Sequence, residues 1–152
     1  DMFNGTWVID SNRSDSPEPL MVAQGIGWAK RKLFLGAQGF LTQIITMGED
    51  DKTMTIEMTS PVKNKTETLT LDGSIEKKTD DVMGQGEIEV SAKWEDDTKQ
   101  VIIHVIVSSI STNTSRRYMQ DPDTMVIEVV YKKHDGNEEL KLKRVFVRKP
   151  QQ

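Results

Sequence analysis

The sequence contains no cysteine and only two histidines, His104 and His134. The first absence removes disulfide scaffolds, thiolate zinc sites and any Cys nucleophile, and it suits a reducing compartment. The second removes His-rich metal centres and two-His hydrolase motifs. Positive charge is not in surplus either. Twenty Lys and Arg against 24 Asp and Glu leave a net charge of −4, which disfavours a protein whose affinity depends on neutralising nucleic-acid phosphates. No apolar run approaches the roughly 18 residues of a membrane span. The opening Asp1-Met2-Phe3-Asn4 shows no basic segment followed by an apolar stretch, so a cytoplasmic location is the expectation. The acidic run Glu49-Asp50-Asp51 lacks the alternating ligands and the glycine of a calcium loop and reads as a charged hairpin tip. Neither a metal nor a cofactor is expected.

What the chain does have is the composition of a folded domain: 152 residues, 36% hydrophobic and 29% charged, read as one unit over 1–152. From residue 40 onward, polar turn signals recur at short intervals. They fall at Gly48–Asp51, Pro61–Asn64, Asp72-Gly73, Gly84-Gln85-Gly86, Glu95–Asp97, Asp121–Asp123 and Asp135–Asn137. Between them lie runs rich in Thr, Val and Ile, the pattern of an antiparallel sandwich or barrel. No helix-length crossover separates the strands, which argues against a parallel sheet. Alternation puts Met54, Ile56 and Met58 on one face, as it does Ile88, Val90, Ala92 and Trp94, and Met125, Ile127, Val129 and Tyr131. The run Val101–Val107, with His104 in it, is too apolar on both faces for periodicity to orient, and His104 reads as a wall residue rather than a catalyst.

The first 40 residues differ. Phe3–Ile9 predicts an opening strand. Ser16 and Pro17 suit an N-cap and a first helical residue, with a short helix over Leu20–Ala23 ended at Gly25 or Gly27. A second helix over Trp28–Leu35 is expected to end at Gly36 or Gly39.

Charge on an apolar strand face is the informative anomaly. Leu140, Leu142, Arg144 and Phe146 share one face, so Arg144 points where the leucines point. A buried guanidinium without a partner is costly, so it pairs with an internal carboxylate, reaches past the rim, or waits for an anion. Arg116 and Arg117 are adjacent, and one of them must point inward. If that one lies across from Arg144, two cations converge on one enclosed space, an arrangement suited to a carboxylate.

Phe3-Asn4-Gly5-Thr6-Trp7 reads as an F-x-G-x-W opening, and Gly25-Ile26-Gly27-Trp28-Ala29-Lys30-Arg31-Lys32 as a glycine-led basic second-helix segment. With these two motifs the chain resembles the intracellular fatty-acid-binding proteins, the cytosolic lipid- and retinoid-binding family of calycin-like barrels. Thr59–Asn64 with Thr66-Glu67 resembles its S-T-F-K-N-T-E turn. Arg117 and Arg144-Val145-Phe146 fall where the family places an anion-binding Arg and its closing R-x-Y. The resemblance implies an all-β fold, a ten-stranded antiparallel up-and-down β-barrel with a two-helix cap (about 16–38) between the first and second strands. It implies non-enzymatic binding and transport of long-chain fatty acids by a monomer, with Arg117 and Arg144 holding the carboxylate. Leu20, Met21 and Ile26 of the cap and Val62 of the facing turn would line the portal, and Met58 the cavity. Phe146 replaces the family's Tyr and so lacks a hydroxyl whose bond to a charged group is worth about 1.5–3 kcal/mol. That leaves a retinoid, sterol or bile-acid-like ligand as an alternative, and a protein-interaction barrel with a filled core as another. Lys30, Arg31 and Lys32, beside Trp28, Leu33 and Phe34, imply transient contact with an anionic membrane surface.

Overall fold

The computed structural model describes residues 2–80 and 86–150. Its strands are β1 (Gly5–Ile9), β2 (Thr42–Met47), β3 (Thr53–Thr59), β4 (Lys65–Thr70), β5 (Glu76–Asp80), β6 (Gly86–Trp94), β7 (Val101–Val107), β8 (Ser111–Asp121), β9 (Thr124–Lys133) and β10 (Glu139–Arg148). They form one ten-stranded sheet in the order β4-β3-β2-β1-β10-β9-β8-β7-β6-β5, every neighbouring pair antiparallel. Sheet neighbours are sequence neighbours except where β1 meets β10, and the sheet curls into an up-and-down barrel. The connection from β1 to β2 carries α1 (Glu18–Ala23) and α2 (Trp28–Ala37).

Two helix boundaries depart from the sequence expectation. Pro17 is itself the cap and the helix starts at Glu18, while the Ser16 hydroxyl accepts the Glu18 N–H at 3.2 Å. Gly25 does end α1, in the left-handed conformation at φ +77°. Gly36 does not end α2, which runs through it to Ala37 and tightens into a 3-10 turn, Gln38–Phe40. A helical glycine costs only about 1 kcal/mol, which tertiary packing overrides. The turn expected at Gly84-Gln85-Gly86 lies, apart from Gly86, outside the described residues.

The interior is divided along its axis. At one end Phe3, Trp7, Ile45, Met54, Ile102, Met125 and Phe146 are all at most 2% exposed and pack into a solid floor. Trp7 donates its indole N–H to the Phe3 carbonyl at 2.9 Å, and the Arg148 guanidinium lies 4.3 Å over its ring. Gly5 has φ +141°, and a Cβ there would sit 2.6 Å from the Arg148 guanidinium, so the opening motif needs glycine between its two aromatics.

β4 and β5 end the sheet order and do not pair with each other. Near the floor the gap is bridged instead by β6. Asp72 pairs with Lys93, Gly73 donates to the Ala92 carbonyl at 2.8 Å, and the Trp94 indole donates to the Asp51 carbonyl at 2.9 Å. Toward the other end the inward residues of both strands are charged, Lys65 and Glu67 on β4 and Lys78 and Asp80 on β5.

Candidate functional site: a cavity above the floor

Strand parity decides which side chains enter the barrel. Arg117 faces Ile127 across β8–β9, and Ile127 faces Arg144 across β9–β10, so all three lie in one cross-strand row on the inner face. Arg117 is therefore the inward member of its pair. Arg116 points outward, where it makes a two-pronged contact with Glu95 at 3.1 Å on each side and lies 3.6 Å from Glu128.

Above the floor is a cavity of about 320 Å³, at the lower end of the usual range for ligand pockets, roughly 300–1,000 Å³. Arg117 lines it where it meets the floor. Its Nη1 donates to the Gln43 amide oxygen at 2.8 Å and touches the Met125 sulfur at 3.3 Å. Among the described residues no carboxylate lies within ion-pairing distance of this guanidinium. Burial lowers its pKa to about 10, and the charge of Glu67 acts in the opposite direction. It remains a cation at neutral pH, compensated by an amide and a thioether.

Arg144 is placed differently. Its Nη2 donates to the Gln38 amide oxygen at the end of α2, its Nε is buried with no hydrogen bond, and it does not line the cavity. Burial lowers its pKa too, with the Asp15 charge opposing. Phe146 is 1% exposed and belongs to the floor, opposite Met125. Leu20 and Met58 line the cavity alongside Arg117. Met21 and Ile26 are buried in the cap, joined by a 3.0 Å backbone bond, and Val62 is half-buried in a turn pinned by Ser60. The Tyr131 hydroxyl donates to the Ala23 carbonyl at 3.5 Å and ties the cap to the barrel wall.

On α2, Lys30 lies 5.9 Å over the Phe34 ring and Lys32 5.7 Å over that of Trp28. Arg31 instead folds back and donates to the Ile26 carbonyl at 2.7 Å. Trp28, Leu33 and Val22 are each more than half exposed.

Sequence reasoning missed the polar wall. The inner face of β8 reads Ser111, Asn113, Ser115, Arg117, and His104 of β7 stands opposite Ser115. Across the cavity Lys65 and Glu67 share the inward parity of buried Leu69. Glu67 Oε1 lies 3.6 Å from His104 Nε2, and Glu67 Oε2 lies 3.8 Å from Lys65 Nζ. The signal was available: Leu69 orients β4, and two and four residues back along its face stand the charges of Glu67 and Lys65.

Burial, chiefly, holds the His104 imidazole below its ordinary 6.5, with Arg117, Lys78 and Lys65 adding to the effect and Glu67 opposing it. The folded protein thus binds fewer protons here than the unfolded chain. This contribution to stability is complete above pH 6.5 and declines as pH falls from 6.5 through the lowered value. His104→Gln is expected to flatten the loss of urea midpoint between pH 7 and pH 5. An unchanged slope would assign the acid sensitivity to other groups.

The strand order and the cap between β1 and β2 give the chain a fold also found in solved fatty acid binding proteins. No family model and no curated protein matches the sequence. Solved structures do match over nearly the whole chain. The REP1-NXSQ fatty acid transporter is 22% identical at a TM-score of 0.73, covering 98% of this chain and 97% of its own. A Schistosoma mansoni fatty acid binding protein in complex with arachidonic acid is 19% identical at 0.74, covering 99% and 98%. Human cRBP IV is 18% identical at 0.76, covering 97% and 98%. At these identities the likeness is one of fold. The similar structures are binding and transport proteins, and among the described residues no helix is long and apolar enough to cross a membrane.

Proposed function

We propose that the chain binds and carries long-chain fatty acids without catalysis, the acid group resting on Arg117 and the tail running toward the cap past Met58 and Leu20. The observation that carries this reading is the cavity-facing Arg117, a half-buried cation paired with no carboxylate among the described residues. An incoming carboxylate supplies the missing charge, and each CH₂ taken from water adds about 0.8 kcal/mol. Arg144, in the same row, is the second cation and is reached once Gln38 gives way. Phe146 contributes packing beneath the site and no hydroxyl. The cap with Met21 and Ile26, and the turn with Val62, form the entrance.

Displacement of a fluorescent fatty acid tests this. Saturable one-site binding, competed by unlabelled long-chain acids, is the expected result, and absence of binding would refute it. The similarity to cRBP IV keeps retinoids as competitors in the same assay.

Delivery is proposed to proceed through transient contact of α2 with an anionic membrane, Trp28 and Leu33 entering the interface and Lys30 and Lys32 meeting the headgroups. Arg31, bonded to Ile26, has a structural part in shaping the entrance as well. With about 1 kcal/mol per basic residue near such a surface, Lys30→Glu with Lys32→Glu is expected to slow transfer to anionic vesicles at least tenfold. Equilibrium affinity should be unchanged. Equal transfer rates for variant and native protein would remove the membrane step.

A further inference from the structure

We propose that the groove between α1 and the inner faces of β9 and β10 receives the methyl end of the acyl chain and so sets the chain length the protein prefers. This rests on the fatty-acid reading and deepens it. The cavity above the floor, about 320 Å³, takes roughly ten methylene-sized groups at about 30 Å³ each, a water molecule's share of the liquid. A long-chain acid with its carboxylate on Arg117 has more than that, so its far end continues beyond. Among the described residues, two hollows share lining side chains with the cavity. One, of about 550 Å³, shares Ile88 and Ser108 and is walled by Lys77, Lys78, Glu87 and Glu89. A hydrocarbon tail there would strip water from charged groups and give nothing in return. The other, of about 340 Å³, shares Leu20 and is built from Pro19, Val129, Tyr131, Leu140 and Leu142, with Asp15, Ser16 and Lys141 as its polar members.

This groove follows from strand parity and from the way α1 is held. Leu142 faces Val129 and Leu140 faces Tyr131, the two inward rows directly above Ile127 and Arg144. Leu20, Val129, Leu140 and Leu142 are nonetheless only half-buried, an apolar surface inside the barrel that the chain itself does not cover. The Asp15 N–H donates to the Lys143 carbonyl at 2.8 Å just before α1, and the Tyr131 hydroxyl meets the Ala23 carbonyl at its end. The helix is thus tied at both ends and stands off the wall between them. The Val129–Leu142 row lies one inward step, about 7 Å, above the row that holds Arg117. Leu20, common to both spaces, is the passage between them. Each CH₂ that leaves water against this surface strengthens binding about fourfold, so affinity is expected to climb with every carbon that passes Leu20.

The experiment measures decanoic and palmitic acids by displacement, on native protein and on Val129→Trp and Leu142→Trp made singly. Both positions line the groove and not the cavity, and the indole enters space that is already open. Native protein is expected to bind palmitic acid at least a hundredfold tighter than decanoic acid. In each variant that preference should fall to tenfold or less, with decanoic acid bound within twofold of native. A preference retained in both variants would overturn the proposal, as would native protein binding the two acids equally. Either result leaves the fatty-acid reading intact. No binding by any acid overturns both. A second measurement uses native protein alone: the terminal ¹³C-methyl of bound palmitic acid should show nuclear Overhauser contacts to the methyls of Val129 and Leu142. Contacts to Ile88 and Val107, or to Val62, in their place would overturn the proposal.

Discussion

Replacing Arg117 by Gln is expected to make the empty protein more stable and the loaded one weaker. The guanidinium is half-buried inside the barrel, and burial, opposed by the charge of Glu67, pulls its pKa down to about 10, so holding it charged in the fold costs free energy that the Gln43 amide and Met125 sulfur do not fully return. A neutral Gln is shorter than Arg and meets the Gln43 oxygen only if the Gln43 amide turns toward it, which offsets part of the gain. Removing a charge that no carboxylate neutralises is expected to raise the unfolding free energy by about 1–3 kcal/mol, in line with buried charges replaced by neutral groups. The ligand's carboxylate then loses a charge-assisted bond worth about 1.5–3 kcal/mol, a drop in affinity of roughly 10- to 150-fold. Urea denaturation with an unchanged slope and fatty-acid displacement measure the two halves. A variant that is less stable and binds equally well would show that Arg117 serves the fold and not the guest.

Trp7→Ala carries the largest expected cost to stability, about 3–5 kcal/mol. Its side chain is fully buried among Phe3, Ile45 and Phe146, its N–H is bonded to the Phe3 carbonyl, and Arg148 lies on its ring. Truncation therefore leaves a cavity, an unpartnered carbonyl and a guanidinium without its platform. Against a typical domain stability of about 5–15 kcal/mol this removes a large fraction. Met58→Ala supplies the contrast. Met58 borders space that is already open, so its loss creates little new void and should cost about 1 kcal/mol. Chemical denaturation of the two variants checks the division of the barrel into a solid floor and a hollow upper part. Equal losses would mean that the interior is packed alike throughout.

Much of this was legible in the chain because strand parity is a strong signal wherever apolar residues mark one face. Met125-x-Ile127-x-Val129-x-Tyr131 and Leu140-x-Leu142-x-Arg144-x-Phe146 oriented β9 and β10 without ambiguity, and that orientation put Arg144 inside. Arg116 and Arg117 could not be separated the same way, because β8 is polar on both faces. Only its pairing with β9 shows that Arg117 shares the row of Ile127. His104 stayed undecided for the opposite reason, in a strand apolar on both faces. The partner of Arg144 was hidden as well, since Gln38 belongs to a turn 106 residues away in sequence. Local pattern specifies which side of a sheet a residue takes. It does not specify which distant side chain meets it there, and the polar wall opposite Glu67 is made of such meetings.

The expectation that two arginines converge on one space is where sequence and geometry diverge most usefully. The row exists, and each of its two cations donates to an amide oxygen, but only Arg117 lines the cavity, and the proposed site takes it as the charge that meets a guest. Calorimetric titration of the native protein with a long-chain fatty acid and with its methyl ester isolates that charge, because the two molecules share a tail and differ at the group that would meet the guanidinium. One-to-one binding of the acid, at least tenfold tighter than the ester, is the predicted result. Equal affinity for the two, or no heat of binding with either, would contradict a hollow barrel whose buried cation receives an acid.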